Sequence, residues 1–174
     1  MTKRYWILTL VLMISLFLPL QASLADEPTD LPYDAPAPEL NVEAEYADEL
    51  ERALSALQAH TPGVSVNYAV RERDDGRYEW DLFFTHNGQL GQAEVRESDF
   101  SVRRVRLYDR PADGLTAEEA MAALAREKGA VTIVDLELER DDGRTVYEGE
   151  ATLDGRRYEF EMTVSGRILE WERD

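Results

Sequence analysis

Apolar residues recur along this chain with two periods. Tyr46, Leu50, Ala53, Leu54 and Leu57 fall three or four apart, the stripe of an amphipathic helix, and Thr61-Pro62-Gly63 ends it. Val64, Val66, Tyr68 and Val70 then alternate with polar residues, as do Tyr78, Trp80, Leu82 and Phe84. Period two marks strands with one buried face. Ala93 and Val95 carry one face of a third strand. In a fourth, Phe100 and Val102 are out of phase with Val105 and Leu107, which predicts a bulge or bend near Arg103 and Arg104.

The same order follows again, more regularly. Thr116-Ala117-Glu118-Glu119 is a capping box, with Leu115 and Ala120 at the staple positions. The helix runs through Met121, Leu124 and Ala125, and Gly129 is its stop. Val134, Leu136 and Leu138 alternate with acids, and Asp142-Gly143 supplies a hairpin turn. Tyr147, Gly149, Ala151 and Leu153 share the inner face of the next strand, and Asp154-Gly155 turns the chain. Tyr158, Phe160, Met162 and Val164 alternate with Arg157, Glu159, Glu161 and Thr163. After Ser165-Gly166, a last strand points Leu169 and Trp171 inward.

ERDDGR occurs at Glu72–Arg77 and again, without a mismatch, at Glu139–Arg144, 67 positions on. The turns Asn87-Gly88 and Asp154-Gly155 lie at the same offset. Matching order at matching offset predicts duplication of a whole unit. The expected fold is α+β: two tandem repeats, 45–110 and 111–174, each a helix packed on a four-stranded antiparallel sheet. The helix is needed because one sheet face alone cannot make a core.

Ahead of the repeats, Lys3 and Arg4 precede an apolar run from Tyr5 to Leu20, then QASLA. This is the pattern of a secretory signal, residues 1–25, cleaved between Ala25 and Asp26. An uncleaved anchor is disfavoured, since the run falls short of the roughly 20 residues a span needs. Residues 26–44, with Pro28, Pro32, Pro36 and Pro38 among acids and alanines, read as a flexible lead. A docking arm anchored by Tyr33 is the sharper alternative.

Charge narrows the function. The 174 residues carry 19 Lys+Arg against 36 Asp+Glu, a formal net charge of −17. Signal cleavage would remove only two positive charges, Lys3 and Arg4, leaving about −19. Nucleic acid is therefore a poor partner. Cysteine is absent, which excludes disulfides, thiolate sites and a lipoprotein anchor. The two histidines, His60 and His86, sit in no catalytic signature, and G-x-S-x-G is missing. Asp74-Asp75 and Asp141-Asp142 offer carboxylates at hairpin tips, but adjacent acids flanked by arginines suit a charged turn better than a calcium loop. No catalytic residue, metal site or cofactor is assigned. Glu137, Glu139, Glu148, Glu150, Glu159 and Glu161 fall at the outward phase of the second repeat. They act as solubilising charge or as an acidic face that docks a basic partner. Phe83, Val146 and Ile168 are apolar at outward phase, and bury a seam between the repeats or anchor a foreign protein.

From Leu115 to the end, LTAEEAMAALAREKGAVTIVDLELERDDGRTVYEGEATLDGRRYEFEMTVSGRILEWERD resembles a PepSY domain. The order and spacing of the helix, the acidic strand VDLELER, VYEGEA, YEFEMTV and GRILEWE carry the resemblance, and Tyr46–Asp109 is similar to a degenerate copy. Tandem units of this outline are also similar in architecture to the β-lactamase inhibitory protein, which fixes no function. The resemblance implies an exported, noncatalytic protein of the periplasm or surroundings that binds a protein or peptide, a peptidase being one candidate. No peptidase domain follows, so a propeptide role in cis does not carry over. Trp80, Phe83, Tyr108 and Trp171 are the aromatic candidates for partner binding on the solvated sheet face. The alternative is a small-ligand or divalent-cation sensing domain. Oligomeric state is left open.

Overall fold

A computed structural model describes residues 44–74 and 76–174. The secretory signal, the lead with Tyr33, and Asp75 of the first acidic turn lie outside the described residues. The first repeat opens with a single 3-10 turn, Ala44–Tyr46, and continues as α1 (Ala47–His60), β1 (Ser65–Asp74), β2 (Arg77–His86), β3 (Gln89–Arg96) and β4 (Val102–Tyr108). The second runs α2 (Ala117–Lys128), β5 (Thr132–Asp141), β6 (Arg144–Leu153), β7 (Arg156–Thr163) and β8 (Ile168–Arg173). Each set of strands forms its own four-stranded antiparallel meander, β1-β2-β3-β4 and β5-β6-β7-β8.

Local chemistry sets the boundaries. Thr116 Oγ1 accepts from the Glu119 amide at 3.3 Å, and the Glu119 carboxylate accepts from the Thr116 amide at 2.8 Å, so the predicted capping box opens α2. Asn87-Gly88, Asp142-Gly143 and Asp154-Gly155 all adopt positive φ at both residues, the left-handed pair that a two-residue hairpin requires.

The duplication extends into backbone irregularities. The first three strands of each repeat begin and end 67 positions apart. The register slips between Val66 and Tyr68 in β1, and at the same offset between Ile133 and Asp135 in β5. It slips again at Glu94/Val95 in β3 and at Glu161/Met162 in β7. The extra residue opposite the first of these is Arg103, where the phase conflict predicted a bulge. Opposite the second it is Leu169. The bulge turns Leu169 out to 37% exposure and brings Ile168 against the core instead. The expectation that Leu169 points inward is thereby corrected: one inserted residue reverses the phase of a strand.

Two cores result. One is local to the first repeat, where Leu50, Ala53 and Leu57 of α1 meet Trp80, Leu82, Phe84, Ala93 and Val95. The other is shared. Tyr68, Val70, Phe83 and Leu90 of the first sheet join Ala120, Met121 and Leu124 of α2 and Leu136, Leu138, Tyr147, Phe160 and Met162 of the second sheet. The first sheet is thus covered on both faces, which explains the unbroken burial of Trp80 to Phe84. Phe83 fills the seam between the repeats. With no disulfide available, this shared burial joins them.

A polar link crosses the same seam. Asp81 and Gln92 lie 3% exposed on the covered face of the first sheet. Gln92 Nε2 donates to Asp81 Oδ1 at 2.8 Å, and Gln92 Oε1 accepts from the Leu138 amide of β5 at 3.0 Å. Burial pushes the Asp81 carboxyl up to about 7; Gln92 opposes that shift, while Glu94, Asp135 and Glu137 add to it.

Candidate functional site

The second sheet keeps one face uncovered, and the pairing arranges its acids. Asp135, Glu150, Glu159 and Glu172 are directly opposite one another across the four strands. Glu137, Glu148, Glu161 and Glu170 form a second such row two residues along. Strict alternation makes this unavoidable. Once Leu136, Tyr147, Phe160 and Trp171 turn toward α2, their neighbours must turn away. All of these acids except Glu172, with Glu139 at one end, line a shallow depression of about 340 Å³.

Like charges face each other along both rows, and this costs free energy unless something compensates. Among the described residues two arginines reach the rows: Arg157 lies 3.0 Å from Glu150 and Arg106 lies 3.8 Å from Glu137. Partial burial, with Glu139 and Asp135 nearby, raises the Glu137 carboxyl to about 6 despite Arg106. Glu148 is shifted in the same direction, by desolvation first and then by Glu139, Glu161 and Glu170. Glu161 Oε1 is enclosed and has no hydrogen-bond partner among the described residues. Among those residues no group of three or more acids or histidines is arranged to hold a metal ion. Neighbouring strands lie about 5 Å apart, which sets the backbone spacing of successive acids along each row.

The four aromatic candidates are not gathered on this face. Trp80 is fully enclosed in the first core, its indole nitrogen without a partner among the described residues. Phe83, 1% exposed, lies in the shared core. As folded, neither offers surface to a partner, because the strand Trp80–Phe84 is covered from both sides. Tyr108 is half-buried against the shared core. Trp171 stacks on Tyr158 at 4.7 Å between centroids, with Lys128 over its ring, on the side of the sheet away from the acids. The six named glutamates do share one face, which Asp135, Glu170 and Glu172 extend. Their outward phase was available in the sequence; their alignment into rows required the register. His60 and His86 bond to the adjacent Thr61 and Asn87.

Residues 114–172 match the family model described as peptidase propeptide and YPEB domain, PepSY. The second repeat is thus similar to PepSY domains, in agreement with the resemblance read from its sequence. Solved structures of similar outline include one described as a candidate lipoprotein from Clostridium difficile 630. It is 14% identical with a TM-score of 0.40, over 70% of this chain and 90% of that one. The Bacillus megaterium YpeB C-terminal domain is 15% identical, with a TM-score of 0.36, over 78% of this chain and 66% of that one. A DUF2874 family protein from Bacteroides ovatus is 15% identical, with a TM-score of 0.29, over 70% and 85%. No curated protein matches the chain. No helix among the described residues is long and apolar enough to cross a membrane.

Proposed function

We propose that this is an exported, noncatalytic binding protein of the bacterial cell envelope, whose partner is another protein with a basic surface. The observation that carries the reading is the uncovered face of the second sheet, with eight carboxylates in two facing rows. Solubility alone does not call for acids placed opposite one another, since scattered charge serves it without the repulsion. Export rests on the signal pattern of residues 1–25. The PepSY match supports a binding role and makes an envelope peptidase a candidate partner. Tyr108 and Trp171, which keep some exposed surface, are secondary candidates at the margin of such an interface.

Crosslinking in intact cells, followed by identification of the captured protein, tests this. The partner should be recovered with the natural protein and lost with Glu148→Gln and Glu161→Gln combined. A partner retained undiminished by that variant would remove the acidic face from the function.

A further inference from the structure

The outer face of the second sheet has a counterpart within the same chain. At the 67-residue offset, Val70 corresponds to Glu137, Asp81 and Phe83 to Glu148 and Glu150, and Gln92 and Glu94 to Glu159 and Glu161. In the first repeat these positions are occupied by polypeptide. Val70 and Phe83 are buried in the core shared with α2. The Gln92 side chain accepts a backbone N–H from strand β5. In the second repeat the same positions face outward. The apolar residues are exchanged for acids, and the amide that takes a strand's N–H is exchanged for the carboxylate of Glu159.

Two further observations define an occupant. Glu161 Oε1 is enclosed without a donor among the described residues, and an enclosed carboxylate oxygen is unfavourable until one arrives. The two rows are two residues apart along the strands, about 6.8 Å. Side chains at alternate positions of an extended chain recur at that same spacing.

We propose that the outer face of the second sheet docks an extended segment of another protein bearing Lys or Arg at alternate positions. Its cationic side chains meet the two carboxylate rows, and one of its backbone amides donates to Glu159 as Leu138 donates to Gln92. This rests on the binding function proposed above and specifies the form of the partner. A second copy of this chain is a poorer occupant, because its formal net charge of −17 opposes its approach to an acidic face.

The test is titration of the purified protein with three probes by calorimetry in low salt: an alternating Lys-Ser hexapeptide, the same peptide N-methylated at each serine amide, and spermine. The plain peptide should bind about tenfold tighter than either of the others, in line with the loss of a charge-assisted hydrogen bond. Glu148→Gln, Glu159→Gln and Glu161→Gln together should abolish its binding while leaving the circular dichroism spectrum intact. Equal affinity for all three probes would overturn the docked form, yet leave a basic partner standing. Absence of binding by any polycation, or binding untouched by the triple substitution, would sink both. Self-association abolished by the same substitutions would identify a second copy as the occupant and overturn the proposal.

Discussion

Gln92 Oε1 sits 3.0 Å from the Leu138 amide, so a side chain of the first repeat satisfies a backbone donor on an edge strand of the second. The same residue holds Asp81 through its amide nitrogen. Replacing it with leucine leaves the Leu138 N–H and the Asp81 carboxyl buried without partners. Gln92→Leu should therefore cost about 2–3 kcal/mol, measured by urea unfolding. A loss under about 0.5 kcal/mol would show that the link contributes nothing to the seam.

Asp81 makes that link sensitive to pH. Its folded-state value of about 7 lies above the ordinary carboxylate range, chiefly because of burial. The folded state therefore holds a proton that the unfolded chain gives up, and stability falls as pH rises from about 4 to about 7, then levels off. Glu94, Asp135 and Glu137 face Asp81, and Arg104 and Arg106 in turn pair with Glu94 and Glu137. Asp81→Asn keeps an oxygen for Gln92 and cannot ionise. This variant should be more stable than the natural protein at pH 8, with the gap closing below about pH 4. Parallel melting curves across that range would contradict the assignment.

Much of this was legible in the sequence, and what was not has a physical cause. The helices, the hairpins and the duplication follow from periodicity, Asx-Gly turns and ERDDGR. Arg103 could be flagged because Val102 and Val105 disagree in phase. Its counterpart Leu169 could not, since the strand is short and Ile168, Leu169 and Trp171 fit either phase. Nothing in the pattern marks Asp81 and Gln92 as buried, because alternation reports which face a residue takes and says nothing of what covers it. Only the seam reveals that Phe83 and Asp81 share a buried face. The acids were assigned to the right face, but whether they stand opposite each other depends on register.

Gly149 is a second place where register constrains sequence. It pairs with Leu136 just past the slip in β5, and a Cβ there would run into the Asp135 carbonyl oxygen, a backbone atom that cannot move aside cheaply. Its counterpart in the first repeat is Leu82, so the closer approach belongs to the second sheet alone. Gly149→Ala should destabilise the protein by about 1–3 kcal/mol, the range for overpacking a buried site. It should also disturb the acidic rows, since Asp135 opens one of them. A variant with unchanged melting temperature and unchanged binding of basic peptide would show that the strands can part at this point.

The acidic rows also set the second repeat apart from the first. The first sheet presents Tyr68, Val70 and Phe83 on the corresponding face, and a helix and a strand of the next repeat settle on it. A second sheet with the same apolar face would be an uncovered hydrophobic surface of the kind that recruits another copy. Asp135, Glu137 and Glu150 stand at those three positions instead. Exchanging them for the first-repeat residues, Asp135→Tyr, Glu137→Val and Glu150→Phe, removes three negative charges and restores the adhesive face. The triple variant should show concentration-dependent association in light scattering beyond that of the natural protein, undiminished by salt, because burial rather than charge would drive it. Scattering that matches the natural protein at every concentration would mean that apolar character on this face is insufficient, and that α2 is held by its covalent connection as much as by the surface it covers.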